Sequence, residues 1–250
     1  MIEDLANSSP EHGKAKLPRQ NAPVLAVVKF IEENLPEYIN EHLQNPVDIS
    51  NENGLTQNLV NHLRYLDWNY PFYFDKENME DESKGNSPTV DLAVYTRKKI
   101  IVKTRAYSPK GRFFAVEAKR LGLSGKREKE YLVGHWEGEE QEKYIESGGI
   151  ERFKKHIHGK RLLHSGMIGY VQKNDFSYWL TKINGWVDEF IQNPQQSLVS
   201  WEEGDKLSPE ITDHQRIAKH TSLHSRREDS TELDSITLYH LWVDLKPTDK

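Results

Sequence analysis

Residues Phe113 to Gly122 read FFAVEAKRLG, an apolar run that carries a glutamate and, two residues later, a lysine. Side chains alternate along a strand, so Phe113, Ala115, Glu117 and Lys119 share one face while Phe114, Val116 and Ala118 take the other. A buried carboxylate or ammonium costs several kcal/mol unless it is paired or coordinated. A Glu–Lys pair at the exposed end of a strand meets that rule with no chemistry at all. A second carboxylate on a neighbouring strand changes the reading, and Asp91 in PTVDLAVY offers one. By itself it reads equally as a strand-edge or turn aspartate. Together the two carboxylates would present hard oxygens to Mg²⁺, which takes one or two protein carboxylates and fills its shell with water and phosphate oxygens. A lysine beside them can orient or deprotonate a water, or offset charge gathering on a phosphate.

The set Pro88-x-x-Asp91 and Glu117-Ala118-Lys119 resembles the PD-(D/E)xK signature of restriction-endonuclease-like nucleases. That resemblance implies Asp91 and Glu117 as metal ligands, the Ala118 carbonyl as a further ligand and Lys119 as the catalytic lysine. The cofactor it implies is Mg²⁺, with Mn²⁺ able to substitute. The family often adds a glutamate from an early helix. Glu52, in SNENGLTQNLVNHL, precedes Leu55, Leu59 and Leu63 by three, seven and eleven residues and so lies on their inward stripe. A glutamate in a first helical turn also simply favours the macrodipole. Two features depart from the pattern: the proline stands two residues further from the aspartate, and 26 residues separate Asp91 from Glu117. A tight hairpin at SPKG would not set them opposite each other, so 97–112 must bulge or form its own insertion. The implied function is cleavage of DNA in restriction or anti-phage defence, as a homodimer or with defence-complex partner proteins. An RNA-cutting enzyme, or an inactive nucleic-acid-binding or assembly subunit on the same fold, are the alternatives.

Between residues 97 and 129 there are twelve Lys or Arg and two acidic residues, in a chain whose net charge is -5. Such a run is commonly a solvated face, but around this site it suits a phosphate backbone. Lys103, Arg105, Arg120, Lys126 and Arg127 are the candidate contacts. Gln141 and Arg152, in segments that resemble the same family, join them. Gly148-Gly149 ahead of a helix at Ile150 could present N–H groups to a phosphate, though a plain turn between helices is the simpler reading. None of the eleven histidines falls at zinc spacing. They read as surface or hydrogen-bonded residues, and Ser222-x-His224-x-Arg226 as no more than a weak phosphate motif. The absence of cysteine excludes disulfides, thiolate metal sites and a cysteine nucleophile.

The elements that must position these residues follow from periodicity. Residues 1–20 read as a flexible arm and 21–250 as one nuclease-like domain. Val24, Val27, Val28, Ile31 and Leu35 predict a helix from Ala22 to about Leu35, which Pro36 disturbs. A second helix starts after Ser50 or Asn51 with the stripe Leu55, Leu59, Leu63 and Leu66. The acidic stretch 75–88 reads as a solvated connection, 89–96 and 112–121 as strands, and EEQEKYIES as helical. Residues 166–172 read as a buried strand. Residues 176–192 read as a helix with Trp179, Ile183, Trp186, Val187 and Phe190 inward, 202–234 as polar loops, and 235–245 as a last strand. The order predicts an α/β fold, a mixed central sheet flanked by helices, with a restriction-endonuclease-like core. No run of about 18 apolar residues is present, and the acidic N-terminus lacks a leader pattern. The chain therefore reads as cytoplasmic, soluble and without a membrane partner.

Overall fold

A computed structural model of the chain describes residues 21–44, 51–80, 83, 87–103, 105–138, 142–228 and 231–247. The predicted arm at 1–20 lies outside them. The fold is α/β. Helices α1 (Ala22–Gln44) and α2 (Glu52–Leu66) lead into β1 (Phe72–Met79) and β2 (Thr89–Thr96). A small hairpin follows, β3 (Ile100–Val102) and β4 (Arg105–Tyr107), before β5 (Arg112–Leu121). A second hairpin, β6 (His135–Glu137) and β7 (Lys143–Ile145), precedes α3 (Gly149–Lys154), β8 (His164–Val171) and α4 (Phe176–Gln192). The chain closes on β9 (Ser208–Glu210), β10 (Ile217–Glu228) and β11 (Thr231–Asp244).

Seven strands form one mixed sheet in the order β1-β2-β5-β8-β11-β10-β9. The β5–β8 and β8–β11 pairs at its centre are parallel and the other pairs antiparallel. One face packs on α1 and α2 through Phe114, Val116, Ile168, Tyr170, Leu241 and Val243. The other packs on α3 and α4 through Leu121, Met167, Leu238 and Trp242. Helix α4 buries the five residues that its 3.6-residue period selects. Among the described residues no helix is long and apolar enough to cross a membrane.

Four elements depart from expectation, each for a physical reason. Helix α1 does not stop at Pro36 but runs on to Gln44. An internal proline costs about 3 kcal/mol, while burial of Tyr38 and Ile39 beyond it returns roughly 1.5–3 kcal/mol each. The acidic connection at 75–88 contains the outer half of β1, an edge strand with mostly half-exposed positions. The segment EEQEKYIES supplies β7, not a helix; Tyr144 packs edge-on against Trp136 of β6, with ring centroids 5.0 Å apart. The supposed loop at 202–234 contains β9 and β10.

Strand β10 escaped detection because its inward face is polar: His220, Ser222, His224 and Arg226 alternate inward and are buried. Ser222 and His224 enter one directional chain of hydrogen bonds. The Trp242 indole N–H donates to the Tyr131 hydroxyl (2.9 Å), which reaches His240 Nδ1 at 2.8 Å. His240 Nε2 meets Ser222 Oγ (2.7 Å), Ser222 Oγ meets His224 Nε2 (2.6 Å), and His224 Nδ1 meets Asp205. An indole N–H can only donate, so the hydroxyl hydrogens and the histidine tautomers all point toward Asp205. Lys154 on α3 donates to the same Asp205 oxygen at 2.6 Å. Arg226, which had read as a weak phosphate motif with His224, instead donates to the carbonyl oxygen of Gly159.

Burial holds His164 and His220 down at about 4, and His224 and His240 below their usual range. The unfolded chain takes up protons on these imidazoles below about 6.5 while the folded chain does not, so acidification through that window favours unfolding. The melting temperature should fall as pH drops from about 6.5 toward 4. Replacing His220, whose ring centroid sits 4.2 Å from that of Trp242, by phenylalanine should make the fall shallower by a few degrees. A melting curve independent of pH over that range would contradict this account.

Candidate active site

The site begins with strand register. Antiparallel β2 and β5 set Leu92 opposite Val116 and Ala93 opposite Ala115, with a bulge between Val94 and Tyr95. The ladder ends there, and just beyond it stand Asp91 and Glu117, which by alternation belong to the face of the sheet that carries Lys119. Asp91 Oδ2 accepts the Ala118 N–H at 2.7 Å. The long interval between the two carboxylates is an insertion: the β3–β4 hairpin forms its own two-stranded sheet. The loop closes where Thr96 N donates to Gly111 O and Lys110 N donates to Thr96 O.

Helix α2 delivers the third carboxylate. Asn51 caps it by accepting the Gly54 N–H, which starts the helix at Glu52. The Glu52 carboxylate takes a hydrogen bond from Lys119 Nζ (3.0 Å) and one from Arg120 N (3.3 Å). Lys119 Nζ also lies 3.0 Å from Glu117 Oε1. Arg152 on α3 meets the same oxygen at 3.1 Å, and His158 Nε2 lies 3.2 Å from Glu117 Oε2. His158 is fully buried, with Glu80 on its other side at 3.7 Å. Glu80 is held by the Gly159 N–H and by Arg112.

Three carboxylates therefore converge in a largely buried site, and the neighbouring cations decide their charge. Burial and the adjacent Glu117 push Asp91 up to about 7, against the partial relief of Lys119 and the Ala118 N–H. Burial alone would raise Glu117 too, but Lys119, His158 and Arg152 outweigh it and hold Glu117 well below the usual carboxylate range. Lys119 shows the mirror image: burial lowers it, and Glu117, Glu52 and Asp91 more than reverse that. Among the described residues no three His, Asp or Glu side chains converge as a ready metal cage. The hard-oxygen donors are Asp91 and Glu117, a number that suits Mg²⁺, whose remaining positions go to water and substrate.

No protein-family model, curated protein or solved structure matches this chain.

The other sequence candidates divide. Arg120 reaches the site through its backbone N–H. Lys126 and Arg127 follow β5 in a short 3-10 turn, Lys126 exposed and Arg127 paired with Glu130 at 2.6 Å. Lys103 and Arg105 belong to the β3–β4 hairpin at the opposite end of β5, roughly 17 Å from Glu117 at the rise of a strand. The basic run in the sequence is thus split between the two ends of the strands and does not surround the carboxylates. Arg152 is in the site, but as a partner of Glu117. Gln141 lies outside the described residues.

Gly148-Gly149 is not a phosphate cradle. The N–H groups of Gly149, Ile150 and Glu151 are taken by the carbonyls of Glu130, Tyr131 and Leu132. The glycines serve close approach: a Cβ on Gly148 would sit 2.3 Å from the Val133 carbonyl carbon, and one on Gly149 would sit 3.3 Å from Lys119 Cγ. His158 and Glu80 carried no signal in the sequence. Both sit at strand ends or in loops, where no periodicity selects an inward residue.

Asp91→Asn keeps an acceptor for the Ala118 N–H and removes a charge that burial and Glu117 both oppose. The variant should be more stable than the parent without metal near pH 8, on the order of 1 kcal/mol by urea denaturation in EDTA. A loss of stability would show that the Asp91 charge is compensated in a way the geometry does not reveal.

Proposed function

We propose that this protein is a Mg²⁺-dependent nuclease that hydrolyses phosphodiester bonds in DNA, of the PD-(D/E)xK kind its signature resembles. The observation that carries the proposal is that Asp91 accepts the Ala118 N–H at 2.7 Å, beside Glu117, with the Lys119 ammonium 3.0 Å from Glu117. The donor chemistry fits the cofactor: two hard carboxylates lie beside a lysine suited to phosphate. Asp91 and Glu117 would hold the ion, which when bound supplies a Lewis acid for the charge that develops on a phosphoryl oxygen.

The chain's own groups account for the rest of the reaction. Water attacks phosphorus and the bond to the leaving oxygen breaks; one proton leaves the water and one reaches the leaving oxygen. Lys119 donates hydrogen bonds to a phosphoryl oxygen, stabilising charge that is greater in the transition state than in the ground state. Glu52 acts on Lys119: it holds the ammonium at 3.0 Å and fixes its direction. Arg152 and His158 hold Glu117 in one orientation. Substrate entry requires Lys119 to exchange part of its pairing with Glu117 for the phosphate, while Arg152 and His158 stay on Glu117.

The test is cleavage of supercoiled and linear DNA in Mg²⁺, Mn²⁺ and EDTA, with an RNA substrate alongside. Glu117→Ala and Lys119→Ala should each lower the rate by at least about 100-fold, and EDTA should abolish it. Glu52→Gln should retain more activity than either, because it acts through Lys119. Cleavage by Glu117→Ala and Lys119→Ala at the parental rate would sink the assignment.

A further inference from the structure

The far end of α2 carries a surface that the candidate active site does not use. Tyr65 is 82% exposed and Trp68 75% exposed, and Tyr70 two residues on is also exposed. Among the described residues, three of the five exposed aromatic side chains fall within these six positions. A folded chain gains nothing by leaving an indole and a phenol in water, and such clusters mark interaction surfaces. Asn58, Asn61 and Tyr65 recur at helical spacing along the outward row of α2. With Tyr38, His42 and His62 they line a groove of about 320 Å³, at the small end of the size range of ligand pockets. Glu41 at its rim is occupied by His62 at 3.1 Å.

The charges around these aromatics are positive. The Arg97 guanidinium lies 5.0 Å above the Tyr73 ring and also binds Asp67 and the Tyr70 carbonyl, which places it beside Trp68. Lys98 and Lys99 follow, exposed and outside every ion pair among the described residues. Arg64 comes from the last turn of α2. The nearby acids Asp67 and Asp75 are already paired with Arg97 and Arg64. Exposed rings interleaved with unpaired ammonium groups, next to a groove lined by amides and imidazoles, match the chemistry of unstacked bases joined by phosphates. A protein partner of ordinary composition has no comparable need for both. Duplex DNA would use the cations but leave the rings idle.

We infer that the outward face of α2 from Asn58 through Trp68, with Arg97, Lys98 and Lys99, binds a single-stranded polynucleotide by stacking bases on Trp68 and Tyr65. Helix α2 begins at Glu52 in the candidate active site and reaches Tyr65 about 20 Å away. The surface would therefore hold substrate a few nucleotides from the point of cleavage. This deepens the nuclease reading and rests on it only for the word substrate.

The experiment is fluorescence anisotropy of a labelled 20-nucleotide oligothymidylate in EDTA, with the oligouridylate and a duplex of equal length as parallel probes. The full chain should bind one or both single strands at least about tenfold more tightly than the duplex, with quenching of tryptophan emission. Trp68→Ala and Tyr65→Ala should each weaken binding about tenfold, and Trp68→Ala should remove the quenching. Lys98→Ala/Lys99→Ala should reduce the slope of log affinity against log salt by about 1–2. The replaced rings face solvent, so all three variants should melt with the parent. Equal affinity in parent and Trp68→Ala, or preference for the duplex, would overturn the inference. So would self-association of the parent that Trp68→Ala abolishes, since the surface would then be an interface between copies. Binding without any cleavage would sink the nuclease reading and leave this one standing; cleavage without Trp68-dependent binding would do the reverse.

Discussion

With β2 laid on β5 so that Leu92 faces Val116, the residues just beyond the last ladder pair are Asp91 and Glu117, and the Asp91 carboxylate takes the Ala118 N–H. A slip of one residue would turn Asp91 toward α1 and α2 and Leu92 toward the carboxylate, because strand faces alternate with period two. The register is pinned on the helix side of the sheet, where Leu92, Val94, Phe114 and Val116 pack beneath α1 and α2. It is pinned again at the loop end, where Thr96 exchanges backbone hydrogen bonds with Gly111 and Lys110. The apolar side of β2 and β5 thus decides which charged groups meet on the other side.

That meeting is unfavourable without help. Two buried carboxylates in neighbouring positions repel, and each loses hydration worth several kcal/mol. The fold answers from three directions: Lys119 from the same strand, Arg152 from α3, and His158 from the loop that follows. Helix α3 is too short to hold its own position by helix formation. It is fastened by Lys154, which reaches the buried Asp205 and through it the His224–Ser222–His240–Tyr131 chain. Arg152 and Lys154 stand two residues apart, so one side of α3 neutralises Glu117 while the other is tied to the polar core. Apolar residues in place of that chain could pack as well, but they would not fix the rotation of α3 through a directional set of bonds.

The parts of this arrangement visible in the sequence are those encoded by repetition. Residues 89–96, 112–121 and 176–192 carry apolar periods, and the observed elements match those bounds. The four residues Glu52, Asp91, Glu117 and Lys119 were legible because a charge inside an apolar period is conspicuous. Strand β10 was not legible, since its inward positions are His220, Ser222, His224 and Arg226, and polarity is the usual sign of a loop. His158 was hidden for a related reason. It lies in no period, and only the closing of the loop onto β5 brings it to Glu117. The basic run misled in the opposite sense: twelve cations adjacent in sequence are separated by the length of β5, because a strand carries its two ends apart as surely as it joins its neighbours.

That same length gives the two ends of the molecule different chemistry. Helix α2 and strand β2 both start at the carboxylates, with Glu52 and Asp91. Both end at the aromatic and basic surface, the helix with Tyr65 and the 3-10 turn at Trp68, and the strand just before Arg97. Charge at the first end is dense, paired and withdrawn from water. At the second end Lys98 and Lys99 are exposed and in no ion pair among the described residues, and the rings stand in solvent. A buried, compensated cluster is poor at capturing a polyanion from solution, because every cation it holds is already occupied. An exposed set of cations and rings captures well but offers no fixed geometry for a reaction. A helix and a strand of equal reach, about 20 Å, join these two ends and keep their contrasting chemistry apart.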